Sequence, residues 1–369
     1  MKTQLKKIAC FSKGQQINGE QLLSNGKYDY LNGGIYPSGK WSDYNVEGDT
    51  IAISEGGNSC GYVNYMESNF WCGGHCYYLY DVKCSSKYLY YALKSQQDRI
   101  MKLRSGACMP NIKKKDLADF VFEYNDNSIV QKKVVLVLDT LESVILSKQL
   151  FVKKLDELIK SRFVEMFGDI YSNNHKYPVE SLSDSILFLT SGSRGWAKYC
   201  VDSGREWFIT IKNVKDCRIS TDDIQAINAP KNAEAKRTRV NEGDLLISIT
   251  ADLGRTGVIT KEIADHGAYI NQHLTCIRLD KKRLNPLYVA YFLESESGKP
   301  QFEAKNQNGV KAGLNFDSIK TLRVLLPPIQ IQNQFADFVT QVEKQKATVH
   351  QSIDKLETLK KSLMQEYFR

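Results

Sequence analysis

The 369-residue sequence contains none of the short motifs that mark the common catalytic sites. It has no GxxxxGK(S/T) phosphate loop, no GxGxxG after a predicted strand, no GxSxG and no HExxH. The segment LPPI at Leu326–Ile329 has two prolines but lacks the flanking residues of an amino-methyltransferase motif. We therefore predict no catalytic residue in this chain.

Long apolar runs are absent as well. The polar start Met1–Lys7 is not followed by an apolar segment long enough for a secretory signal, and no run is long enough to span a bilayer. The nine cysteines are odd in number and irregularly spaced. This pattern is typical of reduced thiols, so we expect a cytoplasmic protein without a membrane role.

One cluster of cysteine and histidine residues is a candidate metal site. Cys72, His75 and Cys76 lie within five residues, but no second Cys/His pair follows at the spacing that zinc sites use. Cys84 and Cys108 are the remaining candidates for such a pair. The alternative is a group of buried thiols on strands, and on this reading we predict no metal.

The charge balance is moderately basic. The formal net charge is +8 and the sequence pI is about 8.8. This excess favours an acidic partner without establishing one. With 42% apolar residues the chain has enough material to bury the cores of two or three domains.

One stretch of sequence occurs twice. KLDELIKSRFVEMF at Lys154–Phe167 and KLETLKKSLMQEYF at Lys355–Phe368 align without a gap and are identical at seven positions. The second copy ends the sequence and the first lies near its middle. The chain is therefore predicted to consist of two similar halves that close with the same element.

Both copies belong to long predicted helices. Apolar residues recur at alternating steps of four and three, and neither run contains Gly or Pro. Each helix has about forty residues and a length of roughly 60 Å. The predicted interface residues are Leu138, Leu141, Ile145, Val152, Leu155, Ile159, Val339, Val342, Val349, Ile353, Leu356 and Leu363.

The predicted seams also carry basic residues, and these lie at different heights in the two copies: Lys148, Arg162, Lys346 and Lys360. This offset favours pairing of the two helices with each other over pairing of each with its own copy. The alternative is that two ordinary amphipathic helices are buried in separate cores.

The order of segments predicts an α+β protein with two pseudo-symmetric globular domains of antiparallel strands, separated by two long antiparallel coiled-coil helices. The predicted segments are domain 1 at 1–127, helix 1 at 128–168, a linker at 169–177, domain 2 at 178–328 and helix 2 at 329–369. Antiparallel helices would form a rod with one domain at each end.

Local patterns repeat between the domains. Glu47–Asp49 precedes a predicted buried strand at Thr50–Ile53, and Asn241–Asp244 precedes another at Leu245–Ile249. The sequence Ile270–His273 takes the place of Cys72–His75 in this alignment. Each strand is followed by a Gly-containing loop.

The predicted loops combine basic, amide and aromatic side chains. Arg and Lys pair with guanine, Asn and Gln pair with adenine, and cations neutralise phosphates. Most such residues on any protein are merely solvated, so the set carries more weight than any member. The candidates for DNA contact are Lys13, Lys40, Trp41, Asn58, Tyr62, Asn111, Arg194, Trp196, Lys198, Lys236, Arg237, Arg239, Arg255, Asn271, Gln272 and Asn308.

The whole chain resembles the specificity subunits of type I restriction–modification systems. The resemblance is carried by the two repeated helix ends, by the Glu-Gly-Asp turns with their strands and Gly loops, and by LPPIQIQ at Leu326–Gln332. The first half departs from the last pattern, since Glu123 and Tyr124 stand where the prolines would be.

The resemblance implies a non-catalytic DNA-binding chain that reads a split site in double-stranded DNA, one half-site per domain, with the helices setting the spacer. It implies two methylation subunits that modify adenine with S-adenosylmethionine, and two restriction subunits as further partners. S-adenosylmethionine, ATP and magnesium would be bound by those partners, and no cofactor by this chain. The alternatives are a single-chain nuclease or methyltransferase, or a coiled-coil scaffold without a nucleic-acid role.

Overall fold

The structure, a computed structural model, describes residues 1–106, 110–306 and 313–369. The chain divides into two compact units, called here unit 1 (Met1–Phe151 with Thr348–Arg369) and unit 2 (Val152–Ala347). Each unit contains part of both long helices. None of the described helices combines the length and apolar character needed to cross a membrane.

Unit 1 is built from short strands and helices that precede the first long helix. Its strands are β1 (Lys2–Gln4), β2 (Cys10–Lys13), β3 (Tyr28–Leu31), β4 (Gly39–Trp41), β5 (Thr50–Ser54), β6 (Val63–Met66), β7 (Phe70–Cys72), β8 (Cys76–Tyr80) and β9 (Val121–Glu123). Its helices are α1 (Leu5–Ile8), α2 (Ser86–Ser95), α3 (Gln97–Met101), α4 (Lys114–Ala118) and the first part of α5 (Ser128–Phe167).

Unit 2 repeats this composition with additional short strands. Its strands are β10 (Val179–Ser181), β11 (Ile186–Ser191), β12 (Cys200–Val201), β13 (Glu206–Ile209), β14 (Val214–Lys215), β15 (Arg218–Ile219), β16 (Gln225–Ile227), β17 (Leu245–Ser248), β18 (Thr256–Val258), β19 (Ala268–Ile270), β20 (Leu274–Leu279) and β21 (Arg323–Leu325). Its helices are α6 (Ala233–Thr238), α7 (Lys261–His266), α8 (Pro286–Glu294), α9 (Lys299–Lys305), α10 (Phe316–Lys320) and the first part of α11 (Ile329–Tyr367).

The sheets of the two units have matching topologies. A four-stranded antiparallel sheet has the order β2-β8-β5-β6 in unit 1 and β11-β20-β17-β18 in unit 2. A second sheet contains one parallel pair, β3 with β7 in unit 1 and β13 with β19 in unit 2. The sequence patterns predicted antiparallel strands and did not reveal these parallel pairs.

A two-stranded pair joins the beginning and end of the globular part of each unit. In unit 1, β1 pairs with β9 and Thr3 lies opposite Phe122. In unit 2, β10 pairs with β21 and Glu180 lies opposite Val324. Because each pair brings distant segments together immediately before a long helix, it fixes where that helix leaves the globular part.

The long helices begin where local chemistry favours a helix start. The side chain of Asn127 accepts hydrogen bonds from the backbone N–H groups of Ile129 (2.9 Å) and Val130 (3.4 Å), which caps α5. Helix α11 follows Pro327 and Pro328, and proline is tolerated at a helix start because its missing N–H would be unpaired there. The observed starts at residues 128 and 329 are those that the sequence predicted.

Within unit 1, α5 and the end of α11 close the core. Val134 and Leu138 of α5 are buried in one cluster with Tyr88, Leu89 and Phe368. The rings of Tyr88 and Phe368 lie 5.3 Å apart. The C-terminal residues of the sequence are therefore part of the hydrophobic core of the first globular region.

Within unit 2, the end of α5 packs on the start of α11 through aromatic rings. The ring centres of Phe163 and Phe167 lie 5.3 and 5.5 Å from the ring centre of Phe335. Both rings also contact the ring of Tyr288 on α8. Farther from this end, Lys346 of α11 binds Asp156 of α5. Residue numbers rise along one helix as they fall along the other, so the two segments are antiparallel.

The buried seam departs from the predicted one at the end of α5. The sequence register predicted Arg162 as a seam position, but the buried residues are Leu155, Ile159, Phe163 and Phe167, at steps of four. Arg162 is exposed and forms an ion pair with Glu165 at 2.8 Å. The change of step occurs because the large aromatic rings bury more apolar area against α8 and α11 than the predicted residues could.

The twelve predicted interface residues are buried or half-buried in the unit to which each belongs. Leu138, Ile145 and Ile353 are buried in unit 1, and Leu155, Ile159, Val339 and Val342 are buried in unit 2. Half-buried positions make up the remainder: Leu141, Val152, Val349, Leu356 and Leu363.

Candidate nucleic-acid interface

Three polar turns of unit 2 meet at one end of its antiparallel sheet. Strand β11 ends at Ser191 and β17 ends at Ser248, whereas β20, which lies between them, begins at Leu274. Because neighbouring strands run in opposite directions, the turns after β11 and β17 lie beside the turn before β20. Their side chains form the polar turn cluster, defined as Arg194, Thr250, Asn271, Gln272 and His273.

A glycine allows two of these turns to approach each other. A Cβ atom on Gly192 would lie 2.1 Å from the carbonyl oxygen of Asn271 and 2.2 Å from that of Ile270. The N–H of Ser193 donates to the Ile270 oxygen at 2.9 Å. A larger residue at Gly192 would separate the turns, so this glycine fixes the position of Arg194 relative to Gln272.

Hydrogen bonds run through the polar turn cluster from one turn to the next. Arg194 Nε donates to Gln272 Oε1 at 3.1 Å. Gln272 Nε2 lies 3.1 Å from His273 Nε2, and His273 Nδ1 lies 2.8 Å from Thr250 Oγ1. The side-chain oxygen of Asn271 accepts from the backbone N–H of His273 at 3.2 Å. The predicted contacts Arg194, Asn271 and Gln272 therefore lie together.

Arg237 holds the end of β11 at the same end of the sheet. Its guanidinium donates to Thr190 Oγ1 and, at 2.8 Å, to the carbonyl oxygen of Ser191. These bonds hold the last residues of β11 immediately before the Gly192 turn. The structure thus gives Arg237, a predicted DNA contact, a role in positioning Arg194.

A basic cleft is lined in part by residues of α6. Arg205, Lys231, Lys236 and Arg239 line this opening of about 1010 Å³, together with Asn228 and Asn232. All four cations are exposed at the surface. Lys236 and Arg239 were predicted from the sequence, and this basic cleft places them with two further cations that suit an anionic backbone.

The carboxylate of Glu206 partly offsets the positive charge of the basic cleft. Glu206 lies 3.8 Å from Arg239 and accepts a hydrogen bond from the hydroxyl of Tyr269 at 3.0 Å. Burial raises the pKa of Tyr269, and the hydrogen bond and charge of Glu206 raise it further. The tyrosine therefore remains a neutral hydrogen-bond donor at neutral pH.

Trp196 is a correction to the predicted contacts. Only 3% of its surface is exposed, and it packs in a cluster with Phe208 and Tyr269. Its indole N–H donates to Glu234 at 3.1 Å. The indole is a core side chain because the rings of Phe208 on β13 and Tyr269 on β19 pack against it. Nearby Lys198 is exposed, with its amine 5.0 Å from the ring of Tyr199.

Two other predicted contacts of unit 2 lie apart from the polar turn cluster. Arg255 is half-buried and forms an ion pair with Asp252 at 2.6 Å. It lines a separate depression with Lys215 and Phe302. Asn308 lies outside the described residues.

The equivalent turns of unit 1 have the same backbone connections. The N–H of Glu55 donates to the His75 oxygen and the N–H of Ile112 donates to the Glu55 oxygen. In unit 2, the N–H of Ile249 donates to the backbone oxygen of His273, and the N–H of Leu314 donates to the backbone oxygen of Ile249. His75 and His273 are therefore equivalent positions.

The side chains at these equivalent turns differ. Lys13 forms an ion pair with Glu55 at 2.8 Å, and His75 Nδ1 lies 3.9 Å from the same carboxylate. Gly73 and Gly74 stand where Asn271 and Gln272 stand in unit 2. The two units therefore present different hydrogen-bonding groups on one backbone framework.

The remaining unit 1 candidates do not form one cluster. Asn58 is exposed on the Gly loop, and Asn111 is exposed and bridges to Gly56 and Ser105. Lys40 and Trp41 lie on β4 of the other sheet. Lys40 forms an ion pair with Asp29 at 3.4 Å, and the ring centre of Trp41 lies 6.3 Å from that of Trp71.

Tyr62 is half-buried under a lysine. The amine of Lys94 lies 3.5 Å from the centre of the Tyr62 ring and donates to the Val63 oxygen at 2.9 Å. Burial, and then repulsion from Lys360, lower the pKa of Lys94 to about 8. This pair lines a cleft of about 940 Å³ that also contains Tyr36.

The cysteine cluster has the geometry of buried thiols. Cys72 ends β7 and Cys76 begins β8, and both are fully buried. The hydrogen bond with Cys76, followed by burial, raises the pKa of the Cys72 thiol. Over residues 1–106, 110–306 and 313–369, no group of three or more His, Cys, Asp or Glu side chains could hold a metal ion. Cys108 lies outside those ranges.

The contacts predicted from the sequence did not include His273 and Thr250 as members of the polar turn cluster, or Arg205 and Lys231 as lining of the basic cleft. His273 follows directly after two predicted contacts, and this adjacency was an available signal. The other three come from turns far apart in sequence, so no local pattern could have joined them to the predicted set.

Comparison with known families gives a direct match over most of the chain. The model of the family described as "Type I restriction modification DNA specificity domain" matches residues 1–153 and 208–358. The two matched segments correspond to the two halves expected from the internal repeat.

Individual relatives have related names. A putative type I specificity subunit of Mycoplasma genitalium is 36% identical over 133 residues, which are 35% of this chain and 34% of the relative. One from Mycoplasma pneumoniae is 42% identical over 110 residues, 29% of each protein. These two matches span about a third of each relative's length. The type I restriction enzyme StySPI specificity subunit of Salmonella potsdam is 24% identical over 378 residues, 94% of this chain and 80% of the relative.

Two solved structures have a similar fold over the whole chain. A type I restriction–modification S subunit from M. genitalium has a TM-score of 0.63 at 18% identity, covering 100% of this chain and 96% of that one. A structure from work on assembly and conformational transition of the type I system has a TM-score of 0.59 at 12% identity, covering 100% and 97%. The predicted α+β fold with two long helices is confirmed, and so is the expected family.

Proposed function

Because the chain belongs to the type I restriction–modification DNA specificity family, we propose that it selects the DNA sequence on which a restriction–modification complex acts. The observation that carries this proposal is that unit 2 contains both the polar turn cluster and the basic cleft. The cluster offers directed hydrogen-bonding groups such as Arg194 and Gln272, and the basic cleft offers cations. Directed groups suit base edges and cations suit phosphates.

We propose that each unit reads one half of a split site in double-stranded DNA. The support is that equivalent turns carry different side chains: Gly73 and Gly74 in unit 1, and Asn271 and Gln272 in unit 2. A common backbone with different hydrogen-bonding groups can approach DNA in the same manner and select different bases.

The spacing function belongs, in this proposal, to α5 and α11. Helices of 40 and 39 residues have lengths of roughly 60 Å, and a continuous helix is stiffer than a flexible linker. The length of DNA between half-sites would then contribute to affinity. Half-sites that face the same side of a duplex lie one helical turn, roughly 34 Å, or a multiple of it apart.

The partners in this proposal are two methylation subunits and, for cleavage, two restriction subunits. The α5 segment of unit 1 supports partner binding because it exposes large apolar residues, with Leu136 68% exposed. The others are Ile129, Val130, Val144, Leu146, Leu150 and Phe151. On the described part of α11 only Leu359 belongs to this exposed class. Such a surface favours association with another protein.

The chemistry belongs to those partners in this proposal. Methylation subunits would use S-adenosylmethionine to modify adenine, and restriction subunits would use ATP and magnesium. The present chain would bind DNA without catalysis, and its place of action would be the cytoplasm.

The proposal is tested by selection of duplexes from a random pool by the purified full-length chain, followed by titration at several salt concentrations. We expect enrichment of one split motif and an affinity that falls steeply as salt rises. Turnover of DNA by the chain alone, with magnesium, ATP and S-adenosylmethionine, would point to an enzyme. Absence of DNA binding at low salt by the folded chain would point to a scaffold.

A further inference from the structure

The hydrogen bonds of the polar turn cluster have only one consistent direction. Arginine has donors and no acceptor, so the atom of Gln272 that faces Arg194 must be its oxygen. The amide nitrogen of Gln272 therefore faces His273 and donates to its Nε2. That ring nitrogen then carries no proton, and Nδ1 donates to Thr250 Oγ1.

This order leaves one part of Arg194 unoccupied by the protein. Its Nε is engaged, whereas its two terminal nitrogens have no hydrogen-bond partner among the described residues. The side chain is exposed at the end of the sheet. The two terminal nitrogens of this exposed side chain are therefore available to a ligand, while the hydrogen bond to Gln272 restrains the guanidinium.

We infer that Arg194 is a specificity-determining residue that reads a guanine in the half-site of unit 2, with Gln272, His273 and Thr250 as its positioning residues. The inference rests on the proposed function. A guanine presents two acceptors, O6 and N7, at the spacing of the free arginine fork. The proton-free Nε2 of His273 fixes the Gln272 amide, and the amide fixes the arginine.

A phosphate is the competing ligand for an exposed arginine. A phosphate contact requires charge but little orientation, and mobile surface cations satisfy it. Arg194 is instead held through three side chains from two other turns, and the Gly192 approach sets their distance. Fixed geometry lowers the entropy lost on binding and favours a contact that depends on direction.

Unit 1 lacks this arrangement at the equivalent place. Gly14 makes the same close approach as Gly192, with its Cβ position 2.2 Å from the Cys72 oxygen, so Gln16 corresponds to Arg194. Gly74 corresponds to Gln272 and has no side-chain amide that could hold Gln16. The guanine contact is therefore specific to unit 2, and Gln16→Ala serves as the matched variant in unit 1.

The experiment is duplex selection and competition binding with the full-length chain and its variants. Arg194→Ala should lower the preference for guanine at one position of one half-site by about tenfold or more and leave the other positions unchanged. Gln272→Ala and Thr250→Val should weaken the preference at that same position, whereas Thr250→Ser, which keeps the hydroxyl, should retain it. Gln16→Ala should leave it intact.

Lys282→Ala controls for the loss of one positive charge. Lys282 is exposed beyond the far end of β20, the strand that begins after His273. An equal loss for all sequences with Arg194→Ala would identify a phosphate contact and overturn the inference, as would a change at a base other than guanine. A folded wild-type chain that enriches no motif would instead overturn the proposed function.

Discussion

Lys360 Nζ donates a hydrogen bond to Glu142 Oε1 at 3.0 Å and links α11 to α5 within unit 1. In unit 2, Lys346 of α11 reaches Asp156 of α5 although only 4% of its surface is exposed. Two basic residues in otherwise apolar seams thus meet an acidic residue on the facing helix. The two ion pairs therefore add to the contacts that hold α11 against α5 in each unit.

The Glu142–Lys360 pair should contribute to stability above acidic pH. Burial opposes the charge of Glu142, but hydrogen bonds from Tyr91 and Lys360 outweigh it and hold the pKa below its ordinary value. A lowered pKa adds stability that is present above the unfolded value, about 4.3, and is lost as pH falls through the folded value. Urea unfolding of Glu142→Gln and wild type should therefore differ at pH 7 and converge at low pH.

A double-mutant cycle with Lys360→Met measures the pair itself. We expect a coupling free energy of about 0.5–1 kcal/mol, because both side chains are partly exposed. Zero coupling, or a difference between Glu142→Gln and wild type that grows toward low pH, would contradict the described contact.

The seam at the end of α5 gives a matched pair of variants. Phe163 is buried among Phe167, Tyr288 and Phe335, so Phe163→Ala should lower the free energy of unfolding by about 3–5 kcal/mol. Arg162→Ala, one residue earlier, should change it by no more than about 0.5 kcal/mol. Thermal and urea unfolding check both values. The reverse ranking would restore the register predicted from the heptad pattern.

The amine of Lys94 should titrate near neutrality. Its pKa is about 8, chiefly because burial penalises the charged form. Reductive methylation followed by peptide mapping should show Lys94 reaching half of its maximal rate near pH 8. Lys87 is the internal control, since Asp139 and Glu67 outweigh its burial and raise its pKa. Identical pH profiles for the two lysines would contradict the buried environment described for the Lys94 amine.

The basic cleft should contribute charge and no sequence preference. Removing Arg205 and Lys231 together should weaken binding to all duplexes alike and make the dependence of log affinity on log salt shallower by about two. Fluorescence anisotropy at four salt concentrations measures this slope. Altered base preference with an unchanged slope would mean that these residues contact bases.

Much of the architecture followed from repetition in the sequence. The strands after the two acidic turns and the equivalence of His75 with His273 were visible because similar residues recur about two hundred positions apart. Local periodicity misplaced Arg162 because the packing of Phe163 depends on α8, which lies more than a hundred residues later in the chain.

The site was predictable in part. Arg194, Asn271 and Gln272 lie together, as expected for contacts that share one interface, whereas Trp196 is in the core. A tryptophan in a polar loop gives the same local pattern whether its ring faces solvent or protein. The role of Thr250 could not be inferred, because it follows from the order of strands in the sheet, which single-sequence patterns do not supply.

The most direct measurement is a map of methylated adenines in host DNA with and without this gene, and with Arg194→Ala in its place. We predict a split motif with a spacer of constant length that disappears when the gene is removed. With the variant, one half of the motif should lose its requirement for a guanine while the other half and the spacer stay the same. A methylation pattern that is identical with and without the gene would contradict the account.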